Sequence, residues 1–170
     1  LLFAYLSQKL SVTLPSDGIK LRCGLRKGTG LWCALSGLDY EPELKQLISL
    51  IQPGDVFFDI GANIGTYSAR AARKVGSAGR VFAFEPLPLN FERLQYAIQV
   101  NNIHNASVGR IAVGNINGTA TIHDGGRESS AGLLSTTGKG HQVDIVTLDN
   151  FVEGLRLNRV DWIKMDIEGA

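Results

Sequence analysis

The chain has 170 residues, 44% of them hydrophobic and 19% charged, and carries a formal net charge of +1. This length suits one domain with a hydrophobic core rather than two. A charge near zero gives no general electrostatic reason to expect nucleic acid or an anionic membrane as partner.

No stretch approaches the ~18 apolar residues that mark a membrane span. The opening Leu-Leu-Phe-Ala-Tyr-Leu is short, and it lacks the basic start and cleavage site of a secretory signal. A cytoplasmic location is therefore expected. The chain begins on Leu and stops at Ala170 inside a motif, so both ends are expected to be cut. Two cysteines are too few for a disulfide framework or a metal cage, and no metal site is expected.

In chain order, residues 1–38 read as a lead-in and a small β-hairpin, and residues 39–170 as the main domain. The hairpin joins residues 21–25 to 31–35 through Gly28 and Gly30, which sets Cys23 opposite Cys33. A cross-strand bridge would suit an oxidising compartment, and in a cytosolic protein the two are expected to be packed thiols. A helix follows: Pro42 suits its first turn, Glu41 and Glu43 lie at its positive end, and Leu44, Leu47, Ile48 and Ile51 fall on one face. Pro53-Gly54 ends it.

From Asp55 the pattern alternates between strand and helix. Val56-Phe57-Phe58-Asp59-Ile60 is continuously apolar but for one acid, which suits a parallel strand covered on both faces. A glycine-rich turn leads to a small-residue helix over residues 66–75, closed by Gly76. Residues 80–84 form the next strand, and Leu87, Phe91, Leu94 and Ile98 mark one face of a second helix ending at Asn101-Asn102. Residues 106–113 read as a third strand, 119–123 and 143–148 as short strands, and 160–166 as the last. Residues 124–140, rich in Gly, Ser and Thr, read as a surface loop. The alternation predicts an α/β, Rossmann-like, open and mostly parallel sheet flanked by helices, with the small hairpin before it.

The chemistry concentrates at Asp59-Ile60-Gly61-Ala62-Asn63-Ile64-Gly65, between a predicted strand and a predicted helix. Open α/β sheets bind ligands at such turns, where the helix start offers free N–H groups. The spacing is G-x-x-x-G, with Asn63 where a dinucleotide fingerprint has its second glycine. That glycine admits a pyrophosphate, and S-adenosylmethionine has none. Asp59 suits an ammonium group and would repel phosphates. Glu85 ends the next strand, placed to accept hydrogen bonds from both ribose hydroxyls. Each residue also has a plainer reading, in which the glycines serve the turn and helix packing, Asp59 caps a helix and Glu85 is a solvated strand end.

These residues resemble the FkbM-type methyltransferases, a branch of the class I, Rossmann-like enzymes that use S-adenosylmethionine. The resemblance runs through Tyr40-Glu41-Pro42-Glu43-Leu44, Pro53-Gly54-Asp55, the glycine turn and Phe84-Glu85-Pro86. It continues through Asn101-Asn102, Ala112-Val113-Gly114, Val146-Thr147-Leu148-Asp149 and the closing Ile163-Lys164-Met165-Asp166-Ile167-Glu168-Gly169-Ala170. It implies that Asp59, Gly61, Asn63 and Gly65, with Ala62 between them, surround the methionine part of the cofactor. Glu85, followed by Pro86, would hold the ribose, with Ala112, Val113 and Gly114 near the adenine and Asp166 near the sulfonium. Related chains continue with further strands and a helix, so the C-terminal strands of the fold are expected to be missing, which leaves a sheet edge exposed.

The implied reaction is methyl transfer to a hydroxyl of a sugar, glycolipid or polyketide-like acceptor. An alcohol needs its proton removed as it attacks, and the candidate catalytic residues are Asp166 first and Glu168 second. His104, His123 and His141 read as solvated surface residues. A nicotinamide-dependent oxidoreductase remains an alternative, as does a non-catalytic Rossmann-like binding protein. A nucleic-acid amino methyltransferase is disfavoured, because Asp166-Ile167-Glu168-Gly169 stands where those enzymes carry an Asn/Asp-Pro-Pro-aromatic loop.

Overall fold

The computed structural model describes residues 10–23, 42–124 and 139–167. Strands β1 (Leu10–Thr13) and β2 (Lys20–Cys23) pair antiparallel, with Leu10 opposite Cys23 and Thr13 opposite Lys20. Pro15-Ser16-Asp17-Gly18 makes the bend. Gly18 has φ 69°, the Asp17 carboxylate accepts the Ile19 amide at 3.0 Å, and the Leu14 amide donates to the Ile19 carbonyl at 2.8 Å. The expected pairing of residues 21–25 with 31–35, and with it the facing of Cys23 and Cys33, lies outside the described residues. The structure adds β1 as a partner of β2, in a stretch read from sequence as lead-in.

The main sheet comprises β3 (Val56–Ile60), β4 (Arg80–Phe84), β5 (Ala106–Gly109) and β9 (Trp162–Met165). Its order is β5-β4-β3-β9, parallel throughout. Helices α2 (Thr66–Val75) and α3 (Pro88–Val100) carry the crossovers, and α1 (Pro42–Leu50) precedes the sheet. Alternate residues of the continuously apolar strands serve opposite faces. On one face Phe57 and Val81 pack with Ile48, Ile51, Ala71, Ala72 and Val75 from α1, α2 and their flanks. The alanines let α2 lie close to the sheet.

On the other face Phe58, Ile60, Phe82 and Phe84 are buried under α4 (Leu148–Gly154). The Phe151 ring meets Phe58, Phe82 and Phe84 edge-on at centroid distances of 5.9, 5.6 and 4.8 Å. This helix went unread in the sequence, where its first residue closed a predicted strand. Thr147 caps it, its hydroxyl accepting the Asn150 amide at 3.3 Å.

Two further boundaries differ from expectation. Residues 106–113 were expected as one strand, but the chain bends at Arg110 and β6 (Ile111–Val113) leaves for a second sheet. That sheet has the order β6-β8-β7, with β8 (Gly140–Val146) parallel to β6 and antiparallel to β7 (Gly118–His123). Gly109-Arg110 stands at the bend, but neither residue by itself tells a turn from a continuing strand. Strand β8 likewise begins at Gly140, at the end of what read as loop.

Strand β9 forms an edge of the four described strands, and its Ile163 and Met165 are 52% and 53% exposed. Elsewhere it is tied firmly to β3. The Asp161 carboxylate accepts the Val56 amide at 2.8 Å, and the Trp162 indole N–H donates to the Asp55 carboxylate at 2.7 Å.

Phe58 is fully buried between two strand aromatics and Phe151. Phe58→Ala should therefore cost about 3–5 kcal/mol, read as a lower midpoint in urea unfolding at unchanged m. A loss under about 1 kcal/mol would show that this face is loosely packed.

Candidate functional site

Strands β3, β4 and β9 end together, with Ile60 level with both Phe84 and Met165. Gly61, Glu85 and Asp166 therefore leave the sheet at one edge. From β3 the chain steps through β4 to β5 on one side, and later returns as β9 on the other. Such a reversal opens a crevice beyond the carboxyl ends of the strands.

The turn is held from both flanks. The Gly61 and Ala62 amides donate to the Phe84 carbonyl at 3.0 and 2.9 Å, and the Asp166 amide donates to the Ile60 carbonyl at 3.0 Å. Gly61 has φ 74°, and a Cβ there would lie 2.0 Å from the Asp166 carbonyl oxygen. Only glycine fits. Gly65, at φ 90°, faces α3, where a Cβ would come within 2.9 Å of Leu94 and 3.2 Å of Ala97. Its missing side chain thus has a packing reason. Asn63 has φ 51°, a conformation that Asn tolerates better than most residues. Asn in place of glycine therefore preserves the backbone path and adds a side chain.

Asp59 is completely buried. Its Oδ2 accepts the Ser68 hydroxyl at 2.5 Å, and its Oδ1 lies 3.2 Å from Lys164 Nζ. Nζ stands off the hydrogen-bond direction, so among the described residues Oδ1 has a charged neighbour but no hydrogen bond. The distance alone suffices for a charge–charge contact. Nζ instead donates to the Gly61 carbonyl at 2.8 Å and lies 4.0 Å from Asp166 Oδ2.

Glu85 is 5% exposed, and its two oxygens accept the Asn63 amide at 2.9 Å and the Leu87 amide at 3.0 Å. It is a buried member of the turn rather than a solvated strand end. Burial above all pushes its carboxyl up from 4.5 to about 7, and the Asp59 charge adds to the rise. The Leu87 and Asn63 amides and the Lys164 ammonium act the other way.

The structure thus brings Asp59, Gly61, Ala62, Asn63, Glu85 and Asp166 to one edge. Pro86 follows Glu85 there, half-buried. Ala112 packs in one cluster with Leu87, and Val113 packs against the cluster holding Phe84, while Gly114 is pinned by its amide to the Val146 carbonyl at 3.0 Å. Asp166, with 74% of its side chain exposed, is the open carboxylate of the group. Glu168 lies outside the described residues. His104 is exposed, while His123 and His141 sit in β7 and β8. Among the described residues no cluster of three or more His, Cys, Asp or Glu could hold a metal, and no helix is long and apolar enough to cross a membrane.

Sequence reasoning missed Lys164 and Ser68. Lys164 had a signal: it lies two residues before Asp166 on a predicted strand, and so on the same face of that strand. Ser68 had none beyond its place in the first turn of α2.

A parallel α/β sheet with an acid-lined glycine turn at its switch point defines the Rossmann-like class of ligand-binding proteins. Residues 59–170, well over half of the chain, match the family model of the methyltransferase FkbM domain. The chain belongs to the FkbM methyltransferase family.

A comparison with curated proteins finds no match. Similar solved structures include a Pyrococcus horikoshii protein assigned as a transferase, with 20% identity and a TM-score of 0.49 over 62% of this chain and 37% of that one. Wild-type Trm5b of Pyrococcus abyssi aligns at 25% identity and a TM-score of 0.44 over 57% and 28% of the two chains. TYW2 of M. jannaschii in complex with AdoMet aligns at 20% identity and a TM-score of 0.41 over 54% and 39%. The aligned region is thus well under half the length of each of these proteins.

The Glu85 shift carries a sign for stability. Between pH 4.5 and about 7 the folded protein keeps a proton that the unfolded chain has released, so stability falls as pH rises through this window and levels off above it. Urea unfolding at pH 5 and pH 8 should show a loss on the order of 2–3 kcal/mol from this group, which Glu85→Gln removes. An identical pH dependence in wild type and variant would contradict the assignment.

Proposed function

We propose that the chain is the cofactor-binding part of an S-adenosylmethionine-dependent methyltransferase, acting on a hydroxyl of a sugar, glycolipid or polyketide-like small molecule. The observation that carries this reading is the pair of buried acids at one sheet edge, Asp59 beneath the glycine turn and Glu85 hydrogen-bonded to it. A buried carboxylate oxygen without a hydrogen bond calls for a donor. Among the described residues Asp59 Oδ1 is such an oxygen, with Lys164 Nζ 3.2 Å away as a charged neighbour, and the ammonium of the cofactor's methionine part is a fitting donor. Each Glu85 oxygen spends one acceptor site on a backbone amide and keeps a second, which fits a ribose diol.

When bound, S-adenosylmethionine supplies a methyl group on a sulfonium centre that is ready to leave. Two acids and no phosphate-sized glycine opening favour this cation over a dinucleotide, whose pyrophosphate the same acids would repel. The protein's remaining task is to align an acceptor oxygen and receive its proton. Asp166 is the residue for that proton. It directly follows the strand that pairs with β3, and its carboxylate is accessible where the other two are buried. Glu168 is the second candidate. Ala112, Val113 and Gly114 would lie beside the adenine, a role that fits β6 standing next to the end of β4. The family match to residues 59–170 supports methyl transfer in general, and the choice of a hydroxyl acceptor is the finer part of the proposal.

Calorimetric titration with S-adenosylhomocysteine should give micromolar binding, with none for NADH. Asp59→Ala, with folding checked by circular dichroism, should lose about 2–3 kcal/mol of affinity, a fall of about 30- to 150-fold. Binding of NADH in preference to S-adenosylhomocysteine would reverse the reading. Labelled S-adenosylmethionine offered with a panel of sugars and glycolipids then tests the acceptor class.

A further inference from the structure

We propose that Lys164 is a positioning residue of this site, one that fixes both Asp59 and the glycine turn for the cofactor. The inference rests on the reading above and concerns a residue which that reading leaves without a task. Lys164 is the register partner of Asp59 across the β3–β9 seam, so both side chains project from the same face of the sheet. Its ammonium has three donors. One goes to the Gly61 carbonyl at 2.8 Å, and the group also touches Asp59 Oδ1 at 3.2 Å and lies 4.0 Å from Asp166 Oδ2. The Tyr67 ring, from the first turn of α2, stands 5.0 Å from Nζ. The side chain is 13% exposed, and Glu85 also feels its charge.

Two consequences follow from this geometry. A carboxylate with no exposed surface is costly without an opposite charge beside it, and Lys164 is the cation in contact with Asp59. The bond to Gly61 also fixes the plane of the 61–62 peptide. Gly61 has a wide conformational choice, so holding its carbonyl sets the direction in which the following amides point. A turn ordered in advance spares the ligand the cost of ordering it. An apolar pair across the same seam would hold the strands together as well, or better. The buried ion pair is thus poorly explained by stability and well explained by a site that needs a charged Asp59 in one place.

The test is a double-mutant cycle on the full chain, read as S-adenosylhomocysteine affinity by calorimetry. Lys164→Met should weaken binding about tenfold, while Lys164→Arg, which keeps the charge, stays within about threefold of wild type. In an Asp59→Asn background the Met substitution should cost clearly less, about threefold, because only the bond to Gly61 is then left to lose. If the Met variant does not fold, Lys164→Gln replaces it, keeping a donor for Gly61 and losing the charge, with the same expected direction. Unchanged or tighter binding in the neutral variants overturns the proposal, as does an equal loss in both backgrounds. Failure of the wild type to bind removes the methyltransferase reading itself, and this inference with it.

Discussion

The close approach of Gly61 to the chain leaving β9 constrains everything at this edge. With a Cβ position only 2.0 Å from the Asp166 carbonyl oxygen, no other residue could stand there without moving one of the two strand ends. That contact, with the Phe84 carbonyl accepting two amides from the turn, sets three strand ends in fixed relation. Asp59, Glu85 and Asp166 acquire their relative positions from this frame. The backbone is thus the first determinant of the site, and the acids are placed by it.

Electrostatics follow from the same frame. Two carboxylates are buried close enough to influence each other, and the folded protein accommodates them by different means. Asp59 has a hydroxyl and an ammonium beside it. Glu85 has two backbone amides, and burial still lifts its carboxyl to about 7. The raised carboxyl of Glu85 makes the fold less stable at neutral pH than at pH 5. On the proposed reading, a ligand that brings an ammonium and a diol offers donors to Asp59 Oδ1 and to Glu85, and donors to Glu85 favour its ionised form.

Much of this was legible in the sequence, and the limits have physical causes. Strands β3 and β4 and helix α2 were readable to the residue because each shows one strong period bounded by glycine or a charge. The pairing of Asp59 with Glu85 at one edge was legible too, since parallel strands joined by a helix bring their carboxyl ends side by side. The bend at Arg110 was not, because Gly109-Arg110 fits a continuing strand as well as a turn. Helix α4 was hidden because the β-branched Ile145-Val146-Thr147 reads as strand up to Leu148, and only the capping geometry of Thr147 shows that the chain turns there. Lys164 was overlooked for another reason. Its role depends on register with Asp59, some hundred residues earlier in the chain, and register across a parallel seam is not written in either strand alone.

The hairpin of β1 and β2 extends the argument beyond the segment that matches the family. Its Leu14, Ile19, Leu21 and Cys23 are buried in one cluster with Ile64, Ala69 and Ala97, so it packs on the glycine turn, α2 and α3 together. Asp17 accepts Arg70 at 2.6 Å, Asn101 brackets the Lys20 backbone with bonds of 3.0 and 2.8 Å, and Arg22 lies 3.9 Å over the Tyr96 ring. Ile64 sits between Asn63, which donates to Glu85, and Gly65, which packs on α3. A hairpin packed on Ile64 therefore gives the turn a second support beside Lys164. The two supports differ in kind, one an apolar cluster and one a charged side chain bonded to the Gly61 carbonyl.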